Sequence, residues 1–107
     1  MPYVATAIKL DDFPVGESRC VPVADAKVGL FRTSDGLFAI DNFCPHRGAP
    51  MHEGFVTDGY VTCPWHQWQF RLEDGVCLNI PKAAIATFPV EVRDGAIWID
   101  LEPKGVA

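Results

Sequence analysis

The dipeptide Asp-Gly occurs four times in this chain, at 35–36, 58–59, 74–75 and 94–95, and it limits the fold more than any other feature. Both central positions of a type I′ turn need positive φ, which glycine adopts freely and aspartate tolerates. Asp-Gly is therefore a strong signal for a two-residue β-hairpin. A strand-like run follows each copy, at 37–40, 60–62, 76–78 and 96–99. Further runs rich in β-branched or aromatic residues, 3–10, 19–23, 28–32 and 87–92, complete the expected strands. No window keeps a helical period, and nine glycines and nine prolines divide the chain into short pieces. The expectation is an all-β fold of antiparallel hairpins. The segments flanking the turns do not resemble one another, so the spacing is turn chemistry and not an internal repeat.

A chain of 107 residues fits one domain, expected to span 1–107 with 102–107 as a frayed tail. A core this small gains from a bound metal or cluster. The net charge of −5 opposes binding to nucleic acid or to an anionic membrane, both polyanions. It suits a partner with a positive docking patch, and it equally serves solubility. The N-terminus lacks the basic flank and apolar run of a signal peptide, and nothing approaches the roughly eighteen apolar residues of a membrane span. The chain is read as cytoplasmic. In a reducing compartment its four cysteines, at 20, 44, 63 and 77, point to metal binding more than to disulfides.

Two segments depart from the strand pattern. Cys44-Pro-His46-Arg-Gly-Ala-Pro50 and Cys63-Pro-Trp-His66 each carry a cysteine, a proline and a histidine, and each follows an expected strand. Both are expected to be loops at strand ends, where a rigid sheet displays binding residues. Each brings one soft thiolate and one imidazole, so the pair offers two sulfurs and two nitrogens, a donor set for iron or zinc. The Cys-x-His half is the selective part, because one intervening residue is shorter than a zinc-finger knuckle uses. Pro45 and Pro64 stiffen the loops, and Gly48 permits a turn that a side chain would obstruct.

These loops resemble the two cluster-binding loops of Rieske proteins, and the likeness continues through Gln69-Phe70 and the 75–78 hairpin to the 88–99 ending. The resemblance implies the Rieske fold, with a small cluster-binding subdomain at about 42–82, and one [2Fe-2S] cluster held by Cys44, His46, Cys63 and His66. One iron would take both cysteines and the other both histidines. High-potential Rieske proteins add a disulfide between the loops and place serine and tyrosine hydroxyls near the cluster. The matching positions here are Ala49 and Trp65, then Trp68 and Phe70, none with those groups. Fewer hydrogen bonds to sulfur disfavour the reduced cluster, so a potential low in the Rieske range is implied. That matches soluble Rieske ferredoxins, which carry single electrons from a flavoprotein reductase to a terminal, ring-hydroxylating type of oxygenase and are expected to be monomers.

The remaining candidates have plainer readings beside the functional ones. Trp65 and Trp68 flank His66 and serve either to keep water off the cluster or to dock a partner, with Trp65 expected nearer the surface. Pro81, in the segment 80–84, falls where Rieske folds place a third loop; unaided, the segment is a strand connector. His52 is the only histidine outside the motif and is expected to be solvated, with contact to a partner or the site as its functional reading. Cys20 and Cys77 are expected to be buried thiols, and Trp98 a core residue. An oxygenase catalytic subunit needs a further mononuclear iron site of two histidines and a carboxylate, for which one histidine is too few. Two rivals stand: the small Rieske-like subunit of an assimilatory nitrite reductase, and a structural zinc module.

Overall fold

Why the chain forms sheets and not helices is visible at its turns. The computed structural model describes residues 3–23, 26–44, 48–65 and 67–100; the expected tail at 102–107 lies outside them. Its strands are β1 Tyr3–Lys9, β2 Ser18–Val23, β3 Ala26–Thr33, β4 Gly36–Asp41, β5 Phe55–Thr57, β6 Tyr60–Thr62, β7 Gln69–Arg71, β8 Thr87–Phe88, β9 Val90–Arg93 and β10 Ala96–Asp100. Three 3₁₀ turns, Leu10–Asp12, Met51–Glu53 and Pro81–Ala83, interrupt them. Asp58-Gly59 and Asp94-Gly95 adopt positive φ at both positions, 51° and 83° in one and 51° and 79° in the other. These are the expected type I′ hairpins, closing β5 on β6 and β9 on β10.

The strands pair antiparallel in three sheets, ordered β1-β10-β9, β2-β3-β4-β8 and β5-β6-β7. The four-stranded sheet is the middle layer. Val28, Leu30 and Ala39 leave one face and pack with Phe13, Ile97 and Ile99. Phe31 and Ile40 leave the other and pack with Val61, Phe70 and Leu72, and with Cys44, Cys63 and Cys77. Successive side chains of a strand point to opposite faces. A sheet covered on both sides therefore buries consecutive residues, as Val28 to Phe31 show. No helix among the described residues is long and apolar enough to cross a membrane.

Several sequence expectations change. Thr33 pairs with Gly36, so Ser34-Asp35 makes that two-residue turn and Gly36 opens β4. At 74–75 only the glycine has positive φ, because the Asp74 carboxylate accepts from Arg71 Nε at 2.9 Å and from the Val76 N–H at 3.2 Å. The strand expected at 76–78 reduces to one bridge, Phe70 to Cys77. The strand expected at 87–92 is two, in different sheets, parted at Pro89, which has no N–H for a ladder. The short strands β5 and β7 were not expected. Trp98 is half-buried beneath Arg93, whose guanidinium carbon lies 4.8 Å from its ring, and Ile97 and Ile99 fill the core instead. Cys20 is half-exposed in β2, whereas Cys77 is buried as expected.

Candidate metal centre

Each cysteine stands within three residues of the end of a strand: Cys63 directly follows β6, and Asn42-Phe43 lead from β4 to Cys44. The two loops share one hydrogen-bond frame. In the first, Cys44 N–H donates to Ala49 O at 3.0 Å and Gly48 N–H donates to Cys44 O at 2.7 Å. In the second, Cys63 N–H donates to Trp68 O at 2.7 Å and Gln67 N–H donates to Cys63 O at 3.0 Å. Four residues after each cysteine the backbone turns left-handed, with φ of 72° at Gly48 and 60° at Gln67. Gln67 tolerates that conformation less well than glycine, so the closing hydrogen bonds hold it there.

Cys44 and Cys63 are buried, at 2% and 0% exposure, within one core cluster. Enclosed thiols on loops of matching backbone fit two sulfur ligands of a shared centre. His46 and His66, the other expected ligands, lie outside the described residues. Among the described residues no three Cys, His, Asp or Glu side chains converge. Cys77 enters the same core and its Sγ accepts the Ile80 N–H at 3.5 Å.

The stem of the first loop rests on a residue the sequence reading passed over. Asn42 is 4% exposed, and its Oδ1 accepts the His52 N–H at 2.9 Å and lies 3.2 Å from His52 Nδ1. Its backbone carbonyl accepts the Met51 N–H at 2.8 Å. Ser18 Oγ donates to His52 O at 2.6 Å. His52 is thus half-buried and tied to the loop stem, not a solvated side chain. A Cβ on Gly29 would stand 2.9 Å from Asn42 Oδ1, so the glycine in β3 makes room for this amide. No local pattern around Asn42 announces the role.

A third segment leans on the second loop. Leu78 N–H donates to Gln69 O at 2.8 Å, and Gln69 N–H donates to Asn79 Oδ1 at 2.9 Å. Pro81 opens the 3₁₀ turn whose Ala83 packs on the core that holds both cysteines. Trp68 packs against that core, while Trp65 is 60% exposed. Phe43, Leu78 and Ile80 are also exposed, so each of the three loops presents an apolar side chain.

A family model, the Rieske-like [2Fe-2S] domain, matches residues 3–100. The chain belongs to this family. This Rieske domain is 42% identical over 100 residues to the cholesterol 7-desaturase of Drosophila melanogaster, covering 92% of the chain but 23% of that protein. It is 32% identical over 94 residues to the ferredoxin component of the naphthalene 1,2-dioxygenase/salicylate 5-hydroxylase systems of Ralstonia sp, covering 87% of the chain and 90% of the relative. A crystal structure assigned as the small subunit of an NADH-dependent nitrite reductase from Mycobacterium tuberculosis superposes with a TM-score of 0.83 at 32% identity, covering 91% and 92% of the two chains. The chain therefore spans under a quarter of one relative and nearly all of the other two. Where high-potential Rieske proteins carry their disulfide, this Rieske domain has the buried methyl of Ala49 and the exposed indole of Trp65. The hydrogen bonds from Cys44 to Ala49 and from Cys63 to Trp68 close the loops instead.

Proposed function

We propose that this chain is a single Rieske ferredoxin domain, a one-electron carrier between a flavoprotein reductase and a terminal oxygenase of the ring-hydroxylating type. The supporting observation is the shared frame of the two loops, each burying a cysteine thiol in one core. Cys44 and Cys63 would hold one iron of a [2Fe-2S] cluster and His46 and His66 the other, within a subdomain of residues 42–82. Bound there, the cluster supplies reversible one-electron chemistry, with imidazole ligands raising its potential above that of an all-thiolate centre.

The chain's own residues set the conditions. Phe70 and Trp68 occupy positions without hydroxyls, which leaves the sulfurs fewer donors and favours a low potential. Trp65, with Phe43, Leu78 and Ile80, offers an apolar end on which a redox partner docks. The likeness to the Ralstonia ferredoxin component over nearly its whole length supports the carrier reading. The carrier would work as a cytoplasmic monomer.

The nitrite reductase small subunit is a second reading, favoured by the superposition at 32% identity. Reconstituted protein separates them. A reduced EPR spectrum of the Rieske kind, and electron delivery from a flavoprotein reductase to an oxygenase, support the carrier. Tight copurification with a siroheme enzyme supports the subunit, and a colourless zinc-loaded protein removes both.

A further inference from the structure

A cavity of about 470 Å³, whose lining includes no residue of the two cysteine loops, lies between the edge of β5 and the turn before β2 together with the β3–β4 turn. Its floor is Phe31, and exposed Phe55 and Val15 stand among its walls, 76% and 59% exposed. β5 is the outer strand of its sheet, and all three of its residues, Phe-Val-Thr, are exposed. Thr57 and Tyr60 flank the two-residue turn and form the hydrogen-bonded pair, so Val56 directs its N–H and C=O outward. Edge strands are usually blunted by lysine or proline, and this one carries neither.

The charge around the cavity is one-sided. Glu17 is engaged by Arg19 Nε at 2.6 Å. Arg32 is the single cation in the lining, and its Nη1 donates to Leu10 O at 3.0 Å and Phe13 O at 2.8 Å. Asp35 and Asp58 line the groove, both exposed, and among the described residues neither enters an ion pair. A second copy of this chain would bring the same carboxylates against these, which disfavours self-pairing. An extended segment with alternating basic and aliphatic side chains meets every feature: backbone partners for Val56, apolar contact for Phe55 and Val15, and cations for Asp35 and Asp58.

We propose that this groove takes up an extended, basic and aliphatic segment of a partner protein by strand addition to β5. The inference goes beyond the electron-carrier reading and does not depend on it. The Ser34-Asp35 turn stands at the opposite end of β4 from the Cys44 loop, and the six residues of β4 span about 20 Å. A partner held in the groove therefore leaves the cysteine end open to a second one.

The test uses ¹⁵N-labelled, cluster-loaded protein titrated with the acetylated and amidated peptide Lys-Val-Lys-Val-Lys. The expected result is saturable shifts of the Asp35, Val56 and Gly59 amides, with affinity falling roughly tenfold or more between low and moderate salt. The double variant Asp35→Asn, Asp58→Asn keeps both turns, since asparagine tolerates the positive φ at position 58 and position 35 needs none, and is expected to bind roughly tenfold or more weakly. Unsaturable shifts, shifts centred on the cysteine loops, or equal binding of penta-lysine or of Glu-Val-Glu-Val-Glu overturn the proposal. So does an unchanged affinity in the double variant. The carboxylates would then serve only to guard an edge strand against pairing.

Discussion

Replacing Asn42 by alanine removes the brace at the stem of the first cysteine loop, and the structure sets the size of the effect. The amide oxygen accepts the His52 backbone N–H at 2.9 Å and faces His52 Nδ1 at 3.2 Å, in a pocket where Asn42 is 4% exposed. Stranding the His52 N–H costs about 1–3 kcal/mol, and losing the imidazole contact adds about 1 kcal/mol, for a total of about 2–4 kcal/mol. Asn42→Asp keeps an acceptor oxygen but sets a carboxylate at a buried site, so it is expected to fall below the parent as well, part of its loss being the cost of burying the charge. Urea unfolding of the cluster-loaded protein measures both, with hydrogen exchange resolving where the loss falls. The Met51 and His52 amides are expected to exchange faster in Asn42→Ala, while those of β9 and β10 keep their protection. If the alanine variant unfolds within about 0.5 kcal/mol of the parent, or its Met51 and His52 amides keep their protection, the oxygen is not the brace.

The matching loop positions give a reciprocal pair. Gln67→Gly relieves a left-handed residue and is expected to stabilise by about 0.5–1 kcal/mol, whereas Gly48→Ala, whose new Cβ meets nothing closer than Phe43 at 3.7 Å, is expected to cost about 1 kcal/mol. Denaturation midpoints moving in the same direction would contradict the shared frame. Gly75→Ala would set a Cβ 2.0 Å from Ile85 O at a φ of 78°, and is expected to cost roughly 3 kcal/mol or more by thermal unfolding. Gly95→Ala, equally left-handed with nothing within 4 Å, is expected to cost only about 1 kcal/mol. The Arg71 guanidinium bonded to Asp74 holds that carboxyl below its ordinary range, so the pair's small contribution is complete above the unfolded carboxylate pKa and fades as pH falls through the lower folded value. Asp74→Asn is thus expected to lower stability slightly at neutral pH and not at strongly acid pH, a difference read from urea midpoints at the two values.

The sequence carried the fold where the signal was local. Asp58-Gly59 and Asp94-Gly95 announce their hairpins because the positive φ of a type I′ turn is written in the residue types themselves. The alternation that marks a half-buried strand was unreadable in β5 and β7, three residues each, and absent in β3, buried on both faces. Pro89 hid a change of sheet inside what looks like one apolar run. At the candidate site, Cys44 and Cys63 stood out in the sequence by their spacing, and the structure buries both in one core. The left-handed turn at Gln67 was not, since hydrogen bonds impose it against the residue's preference. Nor was Asn42, whose partner His52 lies ten residues on and whose space depends on Gly29 in another strand.

The net charge of −5 suggested a positive docking patch on a partner, and the fold assigns that charge a place. Residues 42–52, 63–70 and 77–84, which build the three loops, contain no carboxylate and two cations, Arg47 and Lys82. Of the flanking acids, Asp41 accepts the Phe43 N–H at 3.0 Å and Glu53 stands 3.8 Å from His52 Nε2. Among the described acids, Asp35 and Asp58 lie at the groove. Association through the loops, apolar at Phe43, Trp65, Leu78 and Ile80, is then held by buried area and responds weakly to salt. Association at the groove rests on carboxylates and weakens as salt screens them. Ionic strength separates the two faces: a partner that leaves at moderate salt while electron transfer persists was held by the body, and one whose loss stops transfer was docked at the loops.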